Sequence, residues 1–88
     1  MPNNEQANEL RISVLYFASL AQAAQTDEEV LTVPSDDLGE IYDVLSAKYG
    51  FDLPKDKLAV AINHHFVTWQ TKVQANDVVA FIPPVAGG

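Results

Sequence analysis

From Leu10 to Phe17 the chain alternates Leu10, Ile12, Val14, Tyr16 against Arg11, Ser13, Leu15, Phe17. A period of two with β-branched residues predicts a strand whose even positions face the core. Ala18 to Gln25 is rich in Ala and Gln around Leu20 and predicts a short helix. Glu29 to Val33 reads as a second strand, stopped by Pro34, which also biases Val33 towards an extended backbone. Ser35 then offers a hydroxyl N-cap, and Asp36 and Asp37 suit the positive end of a helix dipole. Leu38, Ile41, Tyr42, Leu45 and Tyr49 follow at helical spacing, and Gly50 fits the left-handed position just past the end of this main amphipathic helix.

A loop carrying Pro54 leads to Leu58–Ile62, a continuous apolar run of the kind found in strands covered on both faces. Asn63, His64 and His65 read as a hairpin turn into a short strand from Phe66 to Trp69. Those two aromatics fall on opposite faces, so at most one is a surface anchor. Thr71–Asp77 is a polar loop, and Val78–Ile82 is the last strand, closed by Pro83 because proline cannot donate to a sheet ladder.

One main helix and one short helix covering a mixed sheet of four to five strands is an α+β arrangement of two layers. Among small folds with this order, the β-grasp or ubiquitin-like roll fits best, and by analogy of fold it places the last strand in the middle of the sheet. The chain then divides into a disordered leader over residues 1–9, a β-grasp domain over 10–82 and an extended tail over 83–88.

Composition narrows the function. Eighty-eight residues, 48% of them hydrophobic, make one core but no deep enclosed active site, so a partner is expected to complete any chemistry. Twelve Asp and Glu against five Lys and Arg give a net charge of −7, which disfavours nucleic acid and anionic membranes and favours a basic protein face. The acids gather at Asp27, Glu28, Glu29 and at Asp36, Asp37, Glu40, Asp43, where solubility and helix-start charge account for much of the pattern. Without cysteine there is no disulfide, thiolate metal site or persulfide on this chain. His64 and His65 have no Cys, Asp or Glu at local ligand spacing, so no metal site is expected. No signal peptide or membrane span is evident, and a cytoplasmic location is the default.

The remaining candidate chemistry lies at Pro83-Pro84-Val85-Ala86-Gly87-Gly88. The prolines fix φ and predict a stiff spacer, while the glycine pair presents an α-carboxylate on a thin, unhindered stalk. Two terminal glycines arise by chance with a frequency of roughly 0.5% at average glycine usage. With an ordinary pKa of about 3.3–3.7, the carboxyl is an anion at neutral pH and a poor electrophile until activated. Adenylylation by ATP is the usual route, and with no phosphate-cradling loop here, a partner must supply it. The acyl carbon then accepts sulfur, giving a thiocarboxylate, or an amine, giving an isopeptide. Phe17, in phase with Arg11 and Ser13, is a docking-patch candidate if it stays on the outward face; an inward turn at the strand end is the other placement.

Leu10–Phe17 with Ala18 opening a short helix, Ala61-Ile62-Asn63 before a hairpin, and Asn76-Asp77-Val78-Val79-Ala80-Phe81-Ile82-Pro83-Pro84-Val85-Ala86-Gly87-Gly88 together resemble the small subunit of molybdopterin synthase over nearly all of residues 10–88. The thiazole-synthesis sulfur carrier shares the fold and the Gly-Gly end but usually lacks the proline pair. The resemblance implies a sulfur carrier that binds no cofactor itself. Gly88 would be adenylylated by an activating enzyme of the ubiquitin-E1 type using ATP, then loaded from a sulfur-donor protein as a thiocarboxylate. The charged subunit would dock on the large synthase subunit, in a heterotetramer that passes sulfur to cyclic pyranopterin monophosphate. It further implies Gly87 and Gly88 as the reacting tail, with Pro83, Pro84 and Val85 as its neck, and Phe17, Ile82, Pro83, Pro84, Val85 and Ala86 as partner-binding residues; no catalytic side chain belongs to this chain. The pattern departs at Ala21-Gln22, where the family commonly has Arg-Glu, and at Asn76, where it has Gly; asparagine tolerates the left-handed geometry such a turn needs. A ubiquitin-like protein modifier and a non-reacting interaction module remain the competing functional classes.

Overall fold

Even-numbered residues of β1 (Leu10–Tyr16) turn inward as the alternation requires, and Ile12, Val14 and Tyr16 are buried. The computed structural model describes residues 9–84. The Val85-Ala86-Gly87-Gly88 end of the expected tail, and the expected leader except Glu9, lie outside the described residues. After β1 come α1 (Ser19–Ala24), β2 (Glu28–Val33), α2 (Leu38–Tyr49), a 3₁₀ turn (Lys55–Lys57), β3 (Ala59–Ile62), β4 (His65–Val67) and β5 (Val78–Ile82).

The sheet order is β2-β1-β5-β3-β4, with β5 parallel to β1 and every other pair antiparallel. The last strand is therefore the central one, as the β-grasp analogy places it. Leu38, Ile41, Tyr42 and Leu45 of α2 are buried in the core that Val79 and Phe81 of β5 also enter, with Tyr42 5.3 Å from Phe81 between ring centroids. Trp69 stacks on Phe81 and meets Tyr42 edge-on, so it belongs to the core, whereas Phe66 is 74% exposed.

Local details correct the sequence reading in three places. The α2 N-cap is Asp37, whose carboxylate accepts the Glu40 N–H at 2.9 Å; Ser35 acts one step earlier, its Oγ accepting the Asp37 N–H at 3.0 Å. A carboxylate there satisfies an orphan donor and also meets the helix dipole, which a hydroxyl does not. β4 ends at Val67 because Thr71 turns back to donate to the Thr68 carbonyl at 3.0 Å. The run around β3 is covered by the helix layer on one face only, and Ala61 instead lines a cleft on the other.

The Thr71–Asp77 loop is pinned despite its polarity. Val73 is buried and its N–H donates to Asp36 at 3.0 Å, while Asn76 adopts φ 71° in the turn before β5. Asn63 locks the far end of the sheet: its Oδ1 accepts the Val78 N–H at 2.9 Å and its Nδ2 donates to Asp77 at 3.0 Å.

Candidate functional site

β5 is apolar on both faces, yet α2 covers only one of them. Val79 and Phe81 point into the core; Val78, Ala80 and Ile82 point the other way. On that open face Ala61 of β3 pairs with Ala80 of β5, and the register puts Phe66 of β4 beside Ala61. The two alanines leave a depression that larger neighbours wall in. Leu15 and Phe17 rise on the β1 side and His64 and Phe66 on the β3–β4 side, enclosing about 160 Å³. An uncovered apolar hollow of this kind is a candidate contact surface.

Phe17 is 44% exposed on this outward face, which decides between the two placements open to it. Its orientation is built by Ala18, which holds φ 54° and ψ −126° as the chain turns from β1 into α1. The Phe17 carbonyl then accepts the Leu20 N–H at 3.1 Å, starting the helix. Such a conformation is rare for a residue with a Cβ. A second hollow, of about 460 Å³, lies on the other side of the Leu15–Phe17 ridge, lined by Ala18, Ala21, Asp27 and Glu28. Ala21 is half-buried there and Gln22 is exposed.

Phe17 and Ile82, far apart in sequence, thus line one cleft. Pro83 is buried and only Pro84 is exposed, so the spacer expected from the proline pair starts one residue later than the sequence suggested. The reason is position: Pro83 directly follows the central strand, between the ends of β1 and β3. Val85, Ala86, Gly87 and Gly88 lie outside the described residues. The sequence reading missed Leu15, Ala61, His64, Val78 and Ala80, and left open which of Phe66 and Trp69 is the surface aromatic, which the structure shows to be Phe66. The signal was present in Val78–Ile82, an unbroken apolar strand in a fold with one helix layer.

A profile of the ThiS family matches residues 14–88. The chain belongs to this family. The molybdopterin synthase sulfur carrier subunit of Mycobacterium tuberculosis is 33% identical over 86 residues, covering 90% of this chain and 99% of that protein. Among solved structures, the complex of subunits 1 and 2 of the molybdopterin-converting factor from Helicobacter pylori contains a chain 28% identical, with a TM-score of 0.61 over 90% of this chain and all of that one. SAMP1 from Haloferax volcanii is 25% identical, with a TM-score of 0.70 over 89% of this chain and 99% of that one. These neighbours share the ubiquitin-like β-grasp fold.

Within this family member the acids are not one patch. The β1–β2 register sets Glu29 opposite Val14, on the core side, where its carboxylate accepts the Tyr16 hydroxyl at 2.8 Å and also that of Tyr49, with Lys48 3.4 Å away. Partial burial pushes the Glu29 carboxyl up, but the hydrogen bonds from Tyr49 and Tyr16 and the Lys48 charge outweigh it and hold the group below its ordinary value. Tyr16 is driven far up, first by burial and then by the adjacent carboxylate. Asp36 and Asp43 pair with Lys72 and Lys55. Asp27 and Glu28, beside Phe17, make no ion pair among the described residues. Among the described residues, no three His, Asp or Glu side chains converge on a candidate metal position and no helix is long and apolar enough to cross a membrane.

Proposed function

We propose that this chain is the sulfur-carrier subunit of a molybdopterin synthase, with Gly88 as the sulfur-bearing residue. The observation that carries this reading is the open cleft lined by Ile82, the last residue of the central strand, from which the chain leaves towards Pro84. A partner that covers the cleft is positioned to receive the segment leaving Ile82, and β5, held by ladders on both sides, is a rigid base for it. The sulfur-carrier relatives, matched along nearly their whole length, support the same reading.

In this scheme an E1-like adenylyltransferase exchanges the Gly88 carboxylate for an acyl adenylate, consuming ATP and releasing pyrophosphate. A persulfide on a sulfur-donor protein attacks the acyl carbon and expels AMP, and thiol cleavage of the resulting S–S bond leaves the thiocarboxylate. The large synthase subunit then binds Phe17, Ile82 and Pro84, receives Val85-Ala86-Gly87-Gly88 in its active site and passes the sulfur to cyclic pyranopterin monophosphate. This chain supplies an electrophile and its delivery; the partners supply every catalytic side chain. Such a cycle runs in the cytoplasm, where ATP and the reduced donors are available.

The test is intact-mass analysis after incubation with ATP, a sulfur donor and the activating enzyme. A mass increase equal to exchange of one oxygen for sulfur is expected, and its absence would overturn the proposal. The likeness to SAMP1 favours a second reading, attachment of Gly88 to a lysine of another protein. That reading requires covalent conjugates in cell extracts that disappear when Gly88 is deleted.

A further inference from the structure

Ala18 is held in a backbone conformation that its own side chain disfavours. Its φ of 54° and ψ of −126° are those of the first central position of a type II′ turn, where glycine dominates, and the Phe17 carbonyl accepts the Leu20 N–H across it at 3.1 Å. A residue with a Cβ persists there only when its surroundings over-determine it. Downstream little does so: α1 has six residues, no side-chain N-cap and one buried residue, Leu20. A helix of that length is not stable by itself. Upstream the chain is fixed twice at Tyr16. Its N–H donates to the Asp27 carbonyl at 2.8 Å, closing the β1–β2 ladder, and its hydroxyl donates to Glu29 at 2.8 Å. The ring is buried and meets Tyr49 and Phe51 edge-on, at 5.8 and 5.9 Å between centroids. Glu29 is in turn held by the Tyr49 hydroxyl and by Lys48 at 3.4 Å. In the β1–β5 register Tyr16 lies opposite Phe81, so Phe17 follows at the end of the sheet where the chain leaves Ile82.

We propose that Tyr16, anchored through its hydroxyl on Glu29, is a positioning residue: it holds the strained turn at Ala18 and so keeps the Phe17 ring on the outward face. Its consequence for docking rests on the assignment of the large subunit as the partner; its hold on the turn does not. The Tyr16 side chain lies in the core and reaches no partner, so it acts through the backbone of the residue that follows it. Without the hydroxyl bond the end of β1 is free to release the strain at Ala18, and Phe17 leaves its outward position for part of the time. Affinity for a partner that needs the outward ring then falls in proportion to the fraction of molecules that keep the turn.

Tyr16→Phe removes one hydroxyl and keeps the ring contacts. Tyr49→Phe removes the other hydroxyl from the same Glu29 oxygen, at a similar cost in stability, and serves as control. Circular dichroism melts establish that each variant is folded. NMR relaxation dispersion on the full chain reads exchange at Phe17 and Ala18, and calorimetry reads affinity for the large subunit, both well below each melting temperature. Tyr16→Phe should introduce exchange at Phe17 and weaken binding about three- to tenfold, the loss expected when roughly a third to a tenth of the molecules keep the turn. Tyr49→Phe should do neither. Adding Ala18→Gly to Tyr16→Phe should quench the exchange and restore the affinity, because glycine needs no restraint at these angles. A Phe17 free of exchange in Tyr16→Phe, equal effects from Tyr49→Phe, or no rescue by Ala18→Gly overturns the positioning role. If the wild-type chain does not bind the large subunit, the partner assignment falls, and exchange at Phe17 with its rescue still decides whether Tyr16 holds the turn.

Discussion

The Tyr16 hydroxyl donates to the Glu29 carboxylate at 2.8 Å across the β1–β2 pair, and Tyr49 of α2 donates to the same oxygen. One partly buried carboxylate thereby ties both layers of the fold together. Because its pKa is lowered on folding, the unfolded chain binds the Glu29 proton more readily than the folded one. Stability from this group is present above the ordinary glutamate value of 4.5 and is lost as pH falls through the lower folded value. Glu29→Gln should cost about 1–2 kcal/mol at neutral pH, since hydrogen bonds to a charged acceptor are the stronger ones. Urea melts of both proteins should converge below pH 4.5; a gap that persists unchanged into that range would refute the account.

Ala18→Gly should raise stability. A residue with a Cβ in this backbone region costs about 1–3 kcal/mol, whereas glycine adds about 0.5–1 kcal/mol of unfolded-state entropy, for a net gain of about 1 kcal/mol. At this chain length that is a rise of about 4–8 °C in Tm by calorimetry. A lower Tm would mean that the methyl group contributes packing that outweighs its strain.

His64 holds φ 72° as the second residue of a two-residue turn, with Asn63 at φ 54° before it. Both angles are those of a type I′ hairpin, where Asn-Gly is preferred. His64→Gly should therefore stabilise the fold by about 0.5–1 kcal/mol, and yet weaken partner binding, because it removes a side chain from the cleft wall. Tm and affinity moving in the same direction would contradict the dual role.

Phe17→Ala should weaken binding to the large subunit by about 2 kcal/mol, the scale of an aromatic hot spot, with little change in Tm. Val44, similarly exposed at 40% but outside the cleft, provides the comparison: Val44→Ala should leave binding unchanged. Equal effects from the two would assign Phe17 no special place.

Deleting Gly88 should abolish sulfur transfer while leaving Tm at the wild-type value, since the core ends at Pro83. Sulfur transfer that survives the deletion would move the reacting group elsewhere.

The sequence by itself determined which segments are strands and helices, because alternation, helical spacing, Gly50 and the proline stops are local signals. It also singled out the Pro83–Gly88 segment as the candidate for the chemistry, a reading that rests on residue type and spacing alone. Tertiary structure alone decided which apolar face stays open. Alternation shows that Val78, Ala80 and Ile82 share a side, but only the β3–β5 register brings Ala61 against Ala80 to make a hollow, and only the path of α2 leaves it uncovered. Likewise Asp27, Glu28 and Glu29 are one acidic run in sequence. The β1–β2 register sends Glu29 inward to two tyrosines and leaves Glu28 outside beside Phe17. Long-range pairing sets these outcomes, and no local window of residues contains it.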